Sequence, residues 1–302
     1  MHEGAEARPG ARAPSLLPTV GSLIAEVAST LEAGGIPEFR QEARDLVAAL
    51  LDRPRLWPWA HREDGVADEL CAIARSAGRK RVAGAPFAYA VGRTAFRHLI
   101  LDVDERVLIP RQETEELVAA VLEWSVRPGG VAVDIGTGSG AIAISLAHEG
   151  EFSRVVATDV STGALLVAGA NARRAAERGS APVELRHGSL LAPVSELRAR
   201  VIVSNPPYIA YDEAATLPSG VRDWEPPIAL FSGGEGMAFT TRLIADAASL
   251  LEPGGLLAVE VDARRAGVAA ELALRDGRYR DVGIRLDLAG RERILLATRK
   301  ES

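Results

Sequence analysis

A single cysteine, Cys71, in 302 residues excludes an intramolecular disulfide and any metal site built from several thiolates, which fits a reducing cytoplasm. Cys71 itself reads as a small core residue rather than a nucleophile, and no metal is expected. Aromatic residues are scarce at 5%, and positive charge is outnumbered: 35 Lys plus Arg against 41 Asp plus Glu leave a net charge of −6. No overall positive field therefore draws the chain to naked nucleic acid or to an anionic membrane, although a local basic patch is compatible with these numbers. No uninterrupted apolar run approaches membrane-spanning length, and the opening MHEGAEARPGARAPS has no apolar signal core. Residues 1–16 are expected to form a disordered tail. The remainder, in a chain 47% hydrophobic and 25% charged, suits a globular protein with a substantial core and two domains.

From about Pro18 to Arg81 apolar residues recur at helical spacing: Leu23, Ile24, Val27 and Leu31, then Leu46, Val47, Leu50 and Leu51, then Val66, Leu70 and Ile73. Breaks at GGIP, DRPRLWP and SAGRKRVAGAP divide them into several short helices. Between Pro86 and Pro110 the texture changes to short β-like runs, FAYAVG, HLILDV and RVLIP, which suggests a hairpin linker. Past Thr114, strand-like runs at 131–136, 154–159, 183–188, 199–205 and 255–262 alternate with helical stretches such as 161–177 and 237–251. That alternation predicts a mostly parallel sheet covered by helices on both faces. A further helix near 264–274 leads to two strands joined by AGRE, a connection short enough only for an antiparallel hairpin. A parallel sheet closed in this way is the outline of a class I methyltransferase.

VDIGTGSGAIAISLA starts as a buried strand, turns on Gly136, Gly138 and Gly140 with Thr137 and Ser139 between them, and enters an apolar helix. Such a turn lets backbone approach a ligand and presents free N–H groups. The same string fits G-x-G-x-x-A with Ala141 last, so a dinucleotide-binding dehydrogenase is one reading. Asp134 favours another. A carboxylate before the loop repels a pyrophosphate but suits the cationic amino-acid part of S-adenosylmethionine, directly or through water. Asp159, ending the next strand, is placed to accept from ribose hydroxyls, and its plainer role is a helix N-cap that Ser161 can fill instead. After the third strand Leu190 is the apolar candidate for covering an adenine.

VSNPPYIA leaves the fourth strand where ligands sit in open α/β sheets. Pro206 and Pro207 fix two torsions and carry no N–H, so the carbonyls there point in set directions. The Asn205 side-chain oxygen, the Pro206 carbonyl and Tyr208 as an aromatic wall then form a rigid set of acceptors. Two acceptors gripping the N–H groups of an amide or aromatic amine orient its lone pair toward an electrophilic methyl, with no base needed before attack.

NPPY after DIGTGSG resembles the amino-methyltransferases, and RVLIPRQETEELV (106–118) narrows the resemblance to the PrmC/HemK family, protein-(glutamine-N5) methyltransferases of peptide chain release factors. PFAYAVG, EPPIALFSGGEGM and LAGRERI extend it over roughly residues 20–300. The resemblance implies a Rossmann-like seven-stranded catalytic domain at 113–302, a β-hairpin linker at 86–112, and a helical substrate-recognition domain at 17–85. It also implies S-adenosylmethionine as cofactor, a glutamine in a Gly-Gly-Gln loop as acceptor, and Leu108 and Arg111 as substrate-binding residues beside Asn205, Pro206, Pro207 and Tyr208. The chain departs from the family pattern at Gln112 (usually Pro), Ser189 (usually Asp), Arg200 (commonly Asp), and Asp262 with Arg265 on and after the fifth strand. The expected partner is a release factor, with no direct nucleic-acid or membrane contact and a monomeric chain. Competing functions are methylation of another protein or a small metabolite, adenine-N6 methylation of nucleic acid, a silent S-adenosylmethionine-binding partner, and an NAD oxidoreductase. The −6 charge and the acidic RQETEE oppose the nucleic-acid reading.

Overall fold

The computed structural model describes residues 17–125 and 127–301, so the expected tail lies outside the described residues. The chain divides between Val91 and Gly92 into two compact units.

The first unit is helical: α1 Val20–Ala33, α2 Phe39–Leu50, α3 Trp57–Ala60, α4 Asp68–Val82 and α5 Phe87–Val91. Thr19 starts α1 through a capping box, its hydroxyl accepting from the Ser22 amide while the Ser22 hydroxyl accepts from the Thr19 amide. Leu23, Val27 and Leu31 of α1 share a core with Ala43, Leu46 and Val47 of α2. On α4 the buried stripe is Cys71, Ala74 and Ala77, whereas Ile73, expected on that face, is 49% exposed. A Cβ on Gly78 would lie 3.6 Å from Val27, so the helices meet closely and small side chains take the contact. FAYAVG, expected as a β-like run, is the helix α5.

The second unit opens with a hairpin, β1 Arg93–Phe96 and β2 Leu99–Asp102, followed by an irregular stretch at RVLIP and then α6 Gln112–Trp124. The hairpin is part of this unit's core, where Phe96 and Leu101 pack with Leu117 and Val121 of α6. The remaining elements are β3 Val131–Ile135, α7 Ala141–Glu149, β4 Arg154–Asp159, α8 Thr162–Ala176, β5 Val183–His187 and β6 Ala199–Ser204. Then come the short helices α9 Ser219–Arg222 and α10 Pro227–Leu230, followed by α11 Ala238–Leu250, β7 Leu251–Glu260, α12 Ala266–Asp276, β8 Tyr279–Leu286 and β9 Glu292–Arg299. Seven strands pair in the order β5-β4-β3-β6-β7-β9-β8, parallel through β7 and antiparallel at β9 and β8.

Successive strand residues alternate between two cores. Val133, Ile135, Ile202, Leu257 and Val259 meet Leu243, Ile244 and Ala247 of α11 and Ala269 and Ala273 of α12. Ala132, Val155, Val201, Val203 and Ala258 meet α6, α7 and α8 on the other side. Helices on both faces follow from central strands whose apolar residues point to both sides of the sheet. Chain order runs outward from β3 to β5 in one direction and from β6 to β7 in the other. The β3/β6 boundary is therefore the switch point at which ligands bind in such sheets.

Candidate active site

Register brings the two motifs together. Asp134 pairs with Val203 across the parallel β3/β6 ladder, so the glycine turn and Asn205 leave the sheet side by side. The Ser204 hydroxyl donates to the Ile135 carbonyl at 2.7 Å and ties the two strand ends. Around this point lies a cavity of about 460 Å³, lined by Gly136, Thr137, Gly138 and Ser139, by Asp159, by Ser189 and Leu190, and by Thr114, Asn205 and Pro207. Leu108, Pro226, Ile228, Phe231 and Phe239 complete it.

Gly136, Gly138 and Gly140 all adopt left-handed φ, from 56° to 85°. At Gly140 a side chain would also be crowded, since a Cβ would sit 2.8 Å from Ile144 Cδ1 and 3.4 Å from Ala168 Cα. Beneath the turn, Asp134 is fully buried and does not line the cavity. Its Oδ2 accepts from the Thr137 hydroxyl at 2.6 Å and the Ala143 amide at 3.2 Å, while Oδ1 is buried without a partner. Burial pushes this carboxyl up to about 7. Asp159 accepts from the Gly138 amide (2.9 Å) and the Ser161 amide (2.8 Å), and Ser161 caps α8. Each Asp159 oxygen keeps a lone pair for a further donor. Leu190 lines the cavity with φ 49°.

Asn205 donates through Nδ2 to Thr114 Oγ1 at 2.9 Å, while its Oδ1 is buried without a partner. Thr114 donates in turn to Glu260 Oε2 at 2.7 Å. Glu260 is 1% exposed, and burial raises its carboxyl to about 7. Pro206 is buried and does not line the cavity. Tyr208, expected as a wall of the pocket, faces the charged groups Glu260, Arg293, Arg111 and Glu113 instead, and burial drives its hydroxyl well above the usual tyrosine range. Arg111 is likewise not a lining residue. It donates at 2.6 Å to Glu225, whose carboxylate is buried and held above its ordinary pKa by desolvation. That ion pair joins the stretch carrying Leu108 to the EPP segment across the site.

The family segment 225–237 underlies NPPY. The Ile209 amide donates to Leu230 and the Ser232 amide to Ile209, forming a parallel bridge with Phe231, and Gly236 lies against the Tyr208 carbonyl too closely for any side chain. Among the departures, Ser189 lines the cavity. Arg200 lies at the start of β6, stacked 5.8 Å over Trp124 and donating to the carbonyls of Pro128 and Gly129. Asp262 and Arg265 join Glu213 and Arg264 in an ion-pair cluster. Gln112 is the first residue of α6.

Thr114, Glu225 and Asn171 were not anticipated as site residues. Asn171 of α8 donates to the Ser139 and Asp102 carbonyls and accepts from the Asp102 amide, fastening the hairpin to the glycine turn. The only sequence signal for Thr114 is its place three and seven residues before Leu117 and Val121, which puts it on the buried stripe of α6.

The switch-point cavity, the glycine turn over a parallel sheet and the antiparallel β8/β9 edge define a class I methyltransferase. Residues 112–217 match the methyltransferase small domain and residues 22–92 the PrmC N-terminal domain. A methyltransferase structure from Pyrococcus furiosus shares the fold at a TM-score of 0.51 and 22% identity, over 69% of this chain and 92% of that one. The release factor glutamine methyltransferase of Moorella thermoacetica is 42% identical over 94% of this chain and 99% of its own, and that of Mycolicibacterium smegmatis is 38% identical over 90% and 94%. The chain belongs to the release factor glutamine methyltransferase family.

Proposed function

We propose that this chain transfers a methyl group from S-adenosylmethionine to the side-chain amide nitrogen (N5) of the glutamine in the Gly-Gly-Gln loop of peptide chain release factors. One observation carries the assignment of the reacting end: Asn205 Oδ1 is a buried acceptor without a partner, on the wall of the cavity that also holds the glycine turn and Asp159. Desolvating a carboxamide oxygen costs free energy unless a donor meets it, and the N–H of an acceptor amide is such a donor.

The residues fit the cofactor. Asp159 offers lone pairs to ribose hydroxyls, Leu190 an apolar surface to the adenine, and the amides at Gly136–Gly140 a close backbone approach. Asp134, with one buried oxygen unmatched, lies under the turn, where an ammonium end brought near would favour its ionised form. When bound, S-adenosylmethionine supplies an electrophilic methyl group. The chain's own contribution is orientation: Asn205, carried on a segment made rigid by consecutive prolines, offers Oδ1 to an N–H of the acceptor so that its nitrogen lone pair is free to attack. Modification of a translation factor is the ground for proposing that the protein acts as a monomer in the cytoplasm on a protein substrate. No helix among the described residues is long and apolar enough to cross a membrane.

Incubation with labelled S-adenosylmethionine and purified release factors, followed by mass mapping, is expected to place one methyl on the loop glutamine. Asn205→Ala should lower kcat about 10²–10³-fold with the fold intact. Label on any other residue, or near-normal turnover of the variant at saturation, would refute the assignment.

A further inference from the structure

Asn205 lines the cavity, and its oxygen is left without a partner while its nitrogen is committed to Thr114. Thr114 has one hydroxyl hydrogen, and Glu260 takes it at 2.7 Å. The hydroxyl therefore meets Asn205 with lone pairs, and only the NH₂ side of the carboxamide can approach it, at 2.9 Å. The direction of the whole chain of hydrogen bonds is set at Glu260. Its three members come from the first turn of α6, the end of β7 and the segment after β6, and Thr114 and Glu260 are 4% and 1% exposed. Solvent is kept from these bonds, and Glu260 also accepts from the Tyr208 hydroxyl.

We infer that Thr114 and Glu260 are positioning residues for methyl transfer: ionised Glu260, acting through the Thr114 hydroxyl, holds the Asn205 carboxamide oxygen toward the acceptor amide, and protonation of Glu260 releases that orientation. The inference rests on the reading of Asn205 as the acceptor for the substrate N–H. A protonated Glu260 donates to Thr114 instead of accepting from it. The Thr114 hydrogen is then free to donate to Asn205 Oδ1, and the carboxamide turns its NH₂ toward the cavity. A donor then faces the N–H groups of the acceptor amide, and the grip is lost.

The groups facing Glu260 are Arg293 from β9, which favours the ionised form, Glu113 from α6, which opposes it, and the Tyr208 hydroxyl from the segment after β6. Arg293 also lies 3.6 Å from Asp287, so its charge is shared. Burial outweighs these and brings the carboxyl to about 7, within the range where a small pH change alters its state.

The test uses the full chain with a purified release factor. Thr114→Val keeps the shape but cuts the relay, so kcat should fall roughly tenfold to a hundredfold, as for other partners that orient a reacting group, while the dissociation constant for S-adenosylmethionine stays within about twofold. Thr114→Ser should restore most of the rate. Wild-type kcat should decline on an acid limb near pH 7 that the valine variant lacks. Independently of turnover, the ¹⁵N side-chain amide resonances of Asn205 should titrate over the same range in the wild type and not in Thr114→Val. Wild-type kcat in the valine variant, failure of serine to rescue, or an Asn205 amide indifferent to pH would overturn the relay. Absence of release-factor methylation together with the expected Asn205 titration would overturn the functional reading alone and leave the relay supported.

Discussion

Asp159 spends one hydrogen bond per carboxylate oxygen on backbone amides, so it arrives at the cavity already oriented. A ligand hydroxyl then meets a fixed carboxylate, and removing it should weaken binding more than it slows transfer from the saturated enzyme. Asp159→Ala should cost about 1.5–3 kcal/mol of cofactor affinity, roughly tenfold to a hundredfold or more by equilibrium titration. An unchanged dissociation constant would exclude the ribose role. The Arg111–Glu225 pair illustrates the opposite balance, because Glu225 has lost its water and relies on a partly exposed guanidinium together with the Ile109 amide. Arg111→Ala strands a buried carboxylate and should destabilise by on the order of 2–4 kcal/mol in urea unfolding. Adding Glu225→Gln should recover much of that loss; if the double variant is no more stable than the single, the penalty is not the stranded charge.

Among the elements, the glycine turn carries two distinct constraints. Gly136 has open space around it, and a substitution there meets only the left-handed φ of 74°, about 1–2 kcal/mol for Gly136→Ala. Gly140 adds a collision with Ile144, and because α7 is buried along residues 141–147 the helix has little room to shift away. Gly140→Ala should therefore lower Tm more than Gly136→Ala and weaken cofactor binding as the turn is displaced. Equal Tm changes for the two would show that torsion alone matters. The segment 225–237 behaves as a brace for NPPY: its bridge to Ile209 and the close approach of Gly236 to Tyr208 hold the loop that the prolines make rigid.

For the whole molecule, all cavity-lining residues fall between Arg106 and Phe239, inside the second unit. An amide gripped at its N–H provides little specificity, so whole-factor recognition must draw on binding energy far from the reacting nitrogen. Deleting residues 1–91 should leave S-adenosylmethionine binding largely intact while cutting kcat/KM on intact release factor severely. A short Gly-Gly-Gln peptide should be a poor substrate for both forms, and a peptide as good as the intact factor would refute remote recognition. Stability should also depend on pH in an unusual sense. Asp134 and Glu260 are raised by burial from 3.8 and 4.5 to about 7, so over that window the folded chain holds more protons than the unfolded one, and stability falls as pH rises through it. Carboxylates lowered by arginine partners have already made their contribution above about pH 5. Calorimetry should show Tm declining from pH 5.5 to 8, and Glu260→Gln should flatten the decline. A rising Tm would contradict the burial argument.

The parallel sheet with its terminal hairpin, the glycine turn, Asp159 at a strand end and the NPPY loop were legible in the sequence, because each follows from local rules: period-two or unbroken apolar runs, glycine punctuation, and prolines that restrict torsions whatever surrounds them. The structure alone decided that FAYAVG is helical, since five alternating residues fit either period and the packing of Ala90 on the helical core selects one. It alone showed Cys71 and alanines, not Ile73, on the inner face of α4, because close approach of helices rewards small volume rather than hydrophobicity. It also turned Tyr208 from the cavity toward Glu260 and joined Thr114, Asn205 and Glu260, residues 91 and 55 positions apart along the chain. Hydrogen-bond direction among distant side chains depends on which strand lies beside which and at what register, and that information resides only in the assembled sheet.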